Sequence, residues 1–108
     1  MKSLLLILLS SLFLTACATY SPAVSSELQE GKRDFEKGYY RHALCELLPL
    51  ACDGISEAQY AVGYMYYYGY GATQDTDVGV FWIERAARHH YRPAVEALNE
   101  MKRNSRLS

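Results

Sequence analysis

The sequence predicts an all-α protein built from paired helices, and three observations carry this prediction. From residue 26 onward, apolar side chains recur three and four positions apart, which is the spacing of a helix with one buried face. No segment alternates apolar and polar residues over the length of a strand. Shifting the sequence by 36 residues superimposes one set of apolar and small residues on another, and a repeat of this length is typical of helical solenoids.

The N-terminal segment has the composition of an export signal. Lys2 precedes an apolar run from Leu4 to Leu14, which is shorter than the about 20 residues that span a bilayer. The run ends in Leu14-Thr15-Ala16-Cys17, which resembles the lipobox of bacterial lipoproteins. The resemblance implies that residues 1–16 are removed and that Cys17 carries a lipid anchor. Because Ala18 follows rather than an aspartate, it also favours the periplasmic face of the outer membrane. The alternative is an ordinary secretory signal with an incidental cysteine.

The first two predicted helices follow a tether at residues 17–25. Ser26-Glu27-Leu28-Gln29 has the form of a capping box that starts the first helix, and its apolar period continues to Ala51. Gly54 suits the left-handed position that ends this helix. Ser56 is predicted to cap the second helix, which Gly69-Tyr70-Gly71 ends.

Asp75 or Asp77 is predicted to start the third helix, and Pro93 fits the first turn of the fourth. The predicted domain covers residues 26–104 and leaves 105–108 as a tail. Residues 17–84 hold ten acids and four bases, whereas residues 85–108 hold six bases and two acids. Such a split can mark an end that faces an anionic surface, but cations near a helix C-terminus are the favoured interpretation. The near balance of charge gives no support for nucleic-acid binding.

The repeat carries a family resemblance. The 36-residue shift pairs Leu44 with Val80, Leu47 with Ile83, Ala51 with Ala87, Ala58 with Ala94, and Val62 with Leu98. The second unit contains Ala58-Gln59-Tyr60-x-Val62-Gly63-x-Met65-Tyr66-x-x-Gly69-x-Gly71, then Asp75, Trp82, Ala86-Ala87, Ala94 and Leu98. This pattern resembles the Sel-1-like repeat, a relative of the tetratricopeptide repeat, over residues 58–98 and more loosely over 35–57. Gly79 replaces an alanine of the pattern and His90 a glycine, so the third helix is expected to be less stable and its end less sharp.

The resemblance implies two antiparallel helix pairs that form a short Sel-1-like, tetratricopeptide-like solenoid, which binds other proteins and does not catalyse. Solenoids usually need three or more repeats to bury a continuous core. With about two repeats, a partner, a second copy of the chain, or residues 26–34 packing as a cap would complete the core. The expected function is therefore an envelope-anchored adaptor for an unidentified envelope protein or peptide. The alternative is a structural subunit of a secretion or cell-wall assembly complex.

A search for catalytic and metal-ligating patterns finds one weak grouping. No serine stands with a histidine and an acid in a nucleophile motif. His42, Cys45 and Glu46 lie three and four residues apart on one helix face, a spacing that can hold a metal. A surface histidine beside an acid is the simpler interpretation, and the adjacent His89 and His90 diverge on a helix. The sequence therefore predicts no catalysis, no metal and no cofactor.

Six tyrosines crowd into residues 60–70. Tyr60 and Tyr66 occupy packing positions of the pattern. The predicted partner-binding residues are Tyr64, Tyr67, Tyr68 and Tyr70. Tyrosine is enriched at interfaces because it combines an apolar ring with a polar tip. Packing of these rings against a neighbouring helix is the alternative.

The two remaining cysteines, Cys45 and Cys52, allow either a disulfide or free thiols. Export to an oxidising compartment favours pairing. On a straight helix, however, seven residues separate their Cα atoms by about 10.5 Å, whereas a disulfide needs less than about 7 Å. Pro49 could kink the helix and bring Cys52 back. A bridge within the chain, a bridge to another chain and two thiols all stay open.

Overall fold

The computed structural model describes residues 21–108, which form five helices and contain no strand. The helices are α1 (Pro22–Glu36), α2 (Tyr40–Cys52), α3 (Ser56–Tyr68), α4 (Thr76–Arg88) and α5 (Arg92–Leu107). Each packs chiefly against the helices before and after it in the chain, which confirms the predicted all-α solenoid. The predicted signal segment and residues 17–20 of the predicted tether, which include Cys17, lie outside the described residues. No helix in this part of the chain is long and apolar enough to cross a membrane.

The first helix starts earlier than the capping box indicated. Ser21 is the N-cap, its hydroxyl accepts a hydrogen bond from the Ala23 amide, and Pro22 occupies the first turn. Ser26 lies inside α1, so the prediction that it caps the helix is wrong. The physical reason is that the Ser21-Pro22 pair provides a start signal one turn upstream, and residues 22–25, assigned to the tether, are helical.

The first predicted helix is two helices separated by a turn at Gly38. Gly38 has φ +84°, a left-handed conformation that glycine adopts without strain. The Gly38 and Tyr39 amides donate to the Phe35 and Asp34 carbonyls, which ends α1 in a Schellman motif. The apolar period did not reveal the turn because α1 and α2 turn their apolar faces to the same core.

The remaining helix ends follow the sequence signals closely. Gly54 is left-handed as predicted, and Gly69, which was predicted to end a helix, is left-handed as well. The Asp75 carboxylate accepts from the Val78 amide and caps α4. Ser56 is instead the first residue of α3, with Ile55 in the cap position, because the Ile55 amide still closes the end of α2. At the other end of the chain, α5 continues to Leu107, three residues into the predicted tail.

Helix α1 covers the N-terminal end of the solenoid. Its Leu28 is buried, and its Gly31 approaches so closely that an added Cβ would lie 2.7 Å from the Leu47 side chain. Lys32 Nζ lies 2.6 Å from Glu57 Oε1 and so joins α1 to α3. Of the three ways considered for completing the core, the structure therefore contains the N-terminal cap, which spans all of α1.

Helices α3 and α4 cross with their backbones in contact at Gly63 and Gly79. A Cβ added to Gly79 would lie 2.8 Å from the Gly63 carbonyl oxygen and 2.7 Å from the Tyr67 nitrogen. Gly79, which replaces an alanine of the family pattern, is thus required for the close crossing of α3 and α4. Other small residues at helix contacts are fully buried: Ala43, Ala51, Ala58, Ala86 and Ala94.

Helix α2 runs without a break through Pro49 to Cys52. The proline lies near the helix end, where its missing amide removes a single intrahelical hydrogen bond. Cys45 and Cys52 are both free and exposed. The two cysteines thus lie on one continuous helix and are not joined here, and whether they pair stays a prediction to be tested.

Candidate functional site

A groove with a volume of about 310 Å³ separates α3 from α5. Ile83 of α4 lines it between the two helices. The α3 side is formed by Tyr60, Tyr64, Tyr67 and Tyr68. The α5 side is formed by Ala97, Glu100, Met101 and Asn104. Each set follows the three- and four-residue spacing of one helix face, so two regular surfaces oppose each other.

The groove exists because α3 and α5 both pack on α4 rather than closely on each other. The glycine contact between Gly63 and Gly79 holds α3 against α4. On the other side, Ala94 of α5 is fully buried in a small cluster with Ile83 and Ala86. Helix α4 thus acts as the floor, and the two outer helices form the walls.

The tyrosines of the α3 wall contact one another. The ring centroids of Tyr64 and Tyr68 are 4.7 Å apart, those of Tyr67 and Tyr68 are 5.0 Å apart, and those of Tyr60 and Tyr64 are 6.5 Å apart. Tyr60 also contacts Tyr91, which precedes α5, at 5.7 Å. Tilted pairs at these separations are favourable, so the wall is held in place before anything binds.

The α3 wall is uncharged. Burial, followed by the neighbouring Tyr68 hydroxyl, raises the pKa of Tyr60. Burial, followed by the Tyr70 hydroxyl, raises the pKa of Tyr64. Both phenols therefore stay protonated and can donate or accept hydrogen bonds. Across the groove, Glu100 and Asn104 supply a carboxylate and an amide.

The four predicted partner-binding tyrosines are in contact with one another, but only three of them line the groove. Tyr64 and Tyr68 are 36% and 52% exposed, and Tyr67 is half-buried where α3 meets Gly79. Tyr70 does not line the groove, but its half-buried ring stacks on Tyr64 at 6.1 Å and lies 6.3 Å from Tyr68. It also packs against Phe35 and Tyr40, with centroids 5.7 and 4.7 Å away.

Sequence reasoning missed two parts of the groove. Tyr60 was assigned to the core but lines the groove, although its helical spacing to Tyr64 already placed it on the same face. The apolar spacing placed Ala97 and Met101 on the packing face of the last helix, but nothing in the sequence indicated that Glu100 and Asn104 turn towards α3.

Comparison with known families decides the nature of this region. The family model of the Sel1 repeat matches residues 56–91, which contain α3, α4 and the turn that leads to α5. Residues 56–91 are therefore similar to a Sel1 repeat. Repeats of this kind are in general non-catalytic scaffolds for protein–protein interaction. No curated protein and no solved structure matches the chain.

The segment that matches the Sel1 repeat forms one wall and the floor of the groove, and α5 adds the other wall after the matched segment ends. The matched region begins at residue 56, so the looser resemblance over residues 35–55 stays a prediction. Within the repeat, His90 takes the left-handed conformation, φ +61°, at the position where the pattern has glycine. The helix therefore ends where the pattern places its end, but with a side chain in a conformation that favours glycine.

Proposed function

We propose that the protein is a lipid-anchored adaptor of the bacterial envelope that binds a peptide segment of a protein partner in the groove between α3 and α5. The observation that carries this proposal is the wall of four mutually packed tyrosines that the Sel1 repeat presents to an open concavity. Tyrosine-rich concave surfaces favour protein binding because rigid rings bury area with little loss of conformational entropy.

The chemistry of the two walls defines the partner. An apolar or aromatic side chain of the partner would pack between the tyrosine rings and Met101. The phenol hydroxyls and Asn104 would satisfy backbone groups of the peptide, and Glu100 would favour a basic side chain at that end. A volume of about 310 Å³ is at the lower end of the range for ligand sites, so it fits a few side chains rather than a folded domain.

The proposed anchor places this groove near a membrane. If Cys17 carries the lipid, at most about 18 Å of extended chain separates it from the start of α1 at Pro22. A double or triple acyl anchor holds a protein stably, whereas one chain is marginal. The domain would then stay close to the membrane surface and present the groove to partners in the periplasm.

Capture from envelope extracts tests the groove. We expect the double variant Tyr64→Ala, Tyr68→Ala to lose partner capture by tenfold or more, since each exposed ring is a candidate hot spot worth about 1–2 kcal/mol. Because Tyr64 also contacts Phe35, Tyr60 and Tyr70, we expect a lower melting temperature as well, and circular dichroism at the assay temperature verifies that the variant is folded. Tyr39→Ala is the matched control, because Tyr39 is 62% exposed outside the groove. Equal capture by wild type and both variants would refute the groove. Tyr67 is left unchanged because it packs against Gly79.

Fatty-acid labelling tests the anchor separately. Cys17→Ser is expected to abolish incorporation of labelled fatty acid and to leave the precursor uncut, because the sulfur is the proposed attachment point. The double tyrosine variant provides the control and should be labelled normally. A Cys17→Ser protein that is processed and retained in membranes would overturn the lipid-anchor proposal while leaving the groove untouched.

A further inference from the structure

A second group of polar side chains lies outside the groove, where α1 and α2 meet. His42 Nδ1 donates to Asp34 Oδ2 at 2.5 Å and lies 3.6 Å from Glu46 Oε1. One ligand-type atom from each of these three residues lies within 4.8 Å of the others. The turn at Gly38 brings them together, since Asp34 is on the last turn of α1 and His42 on the first turn of α2.

This grouping differs from the one that the sequence suggested. Cys45 is exposed and does not belong to it, and Asp34 of the neighbouring helix takes its place. His42 and Glu46 are four residues apart on α2, and Asp34 follows Glu30 by four residues on α1. Helix α2 thus supplies two candidate ligands one turn apart, and the end of α1 supplies the third.

The negative charge in this group is not balanced. Glu46 Oε2 is withdrawn from solvent and has no hydrogen-bond partner in the described part of the chain. Burial and the Glu30 carboxylate raise the pKa of Glu46, and the hydrogen bond to Asp34 raises the pKa of His42. The carboxylates of Glu30, Asp34 and Glu46 thus repel one another, and the imidazole of His42 is the one group that offsets them within this set. Burying a carboxylate oxygen without a partner also costs free energy.

We propose that Asp34, His42 and Glu46 bind one divalent transition-metal ion, with Zn²⁺ as the best match. Zn²⁺ binds imidazole nitrogen and carboxylate oxygen at about 2.0–2.2 Å, which places neighbouring tetrahedral ligands about 3.3 Å apart. The observed separations of 2.5 and 3.6 Å lie on either side of that value, so small rotations of side chains produce the coordinated geometry. The ion replaces the proton between His42 and Asp34, and water completes its coordination.

The ligand set selects among cations. An imidazole ligand disfavours Mg²⁺ and Ca²⁺, which prefer oxygen ligands alone. The absence of a thiolate from the group favours Zn²⁺ or another borderline ion over Cu(I). A bound ion would fasten α1 to α2 and so tie the helix nearest the proposed anchor to the solenoid.

Metal titration tests this proposal. The full-length protein, purified in detergent and stripped with a chelator, is titrated with Zn²⁺ against a chromophoric competitor and separately with Co²⁺ to record its visible spectrum. We expect one ion per chain, a tetrahedral Co²⁺ spectrum, and a melting temperature that rises by several degrees with Zn²⁺. His42→Gln and Asp34→Asn should each weaken binding by tenfold or more and remove the thermal shift.

The controls keep the outcome clear. His42 is 68% exposed, so its replacement leaves the fold intact, which circular dichroism verifies. His89→Gln removes an exposed histidine beyond α4 and should bind like wild type. Equal Zn²⁺ affinity of wild type and His42→Gln, or binding to wild type only at millimolar Zn²⁺, would overturn the proposal.

Discussion

Replacing Gly79 with alanine has two opposing effects on stability: it raises helix propensity, and it introduces a steric overlap between α3 and α4. In an unobstructed helix, glycine to alanine adds about 0.5–1 kcal/mol to the free energy of unfolding. Here the new Cβ would lie 2.7 Å from the Tyr67 nitrogen and 2.8 Å from the Gly63 oxygen. These are backbone atoms, so α3 and α4 must move apart by about 0.7 Å to restore an ordinary contact of 3.4 Å.

The packing cost outweighs the gain in helix propensity. Overpacking costs about 1–3 kcal/mol, and backbone obstruction places this site in the upper part of that range. The expected net loss is therefore about 1–2 kcal/mol, which lowers the melting temperature by roughly 5–15 °C in a domain of this size. Urea unfolding followed by circular dichroism at the helix signal measures the free energy, and thermal unfolding gives the shift.

Two further glycines make the comparison decisive. Gly63→Ala should cost about as much as Gly79→Ala, because its Cβ would meet the Gly79 carbonyl oxygen at 2.7 Å. Gly31→Ala should cost less, since its Cβ would meet a side chain rather than backbone, but it should still destabilise because Leu47 is fully buried. A Gly79→Ala protein more stable than wild type, as the alanine of the family pattern would suggest, would refute this reasoning.

Three other predictions follow from single residues. His90→Gly should raise the free energy of unfolding by about 0.5–1 kcal/mol, seen as a higher urea midpoint at an unchanged slope, because glycine removes the strain of the left-handed conformation; a lower midpoint would contradict this. The hydrogen bond to Asp34 raises the pKa of His42 in the folded protein. With metal removed by a chelator, the contribution of protonated His42 to the free energy of unfolding should be complete below about pH 6.5 and should be lost as the pH rises through the folded pKa. Unfolding across that range and NMR titration check this, and Asp34→Asn should lower the pKa of His42. Alkylation without reductant should modify both Cys45 and Cys52 on a monomer, and a monomer two hydrogens lighter would show a disulfide within the chain.

Much of the helical architecture could be predicted because its signals are local. Gly54 and Gly69 end helices through a conformation that their own sequence favours, and Asp75 caps a helix with its own carboxylate. The sequence predicted one helix where α1 and α2 are separated by a turn at Gly38. The spacing of apolar residues indicates which side of a helix is buried, but it does not indicate where the chain reverses direction. Ser21 was missed as a cap because a second pattern of the same kind begins at Ser26.

The candidate sites could be predicted only in part because each is assembled from separate helices. The spacing of Tyr64 and Tyr68 within α3 was enough to place both on one face. The facing residues of α5 depend on the angle at which it packs on α4, which no local signal encodes. Asp34 joins His42 only through the turn at Gly38, so its role depended on the same missed break.

The order of helix packing has a consequence for local motions. Each helix packs mainly against its neighbours in the chain. The free energy of unfolding is therefore close to a sum over the interfaces between adjacent helices, and single helices can unfold locally while the others stay folded. Helix α5 rests on α4 through the small cluster around Ile83, Ala86 and Ala94, while α2, α3 and α4 share the larger core. Amide hydrogens should therefore exchange fastest in α5. A peptide seated between α3 and α5 would bridge two helices that otherwise make little contact, so occupancy of the groove would slow that exchange and make opening of the solenoid more cooperative.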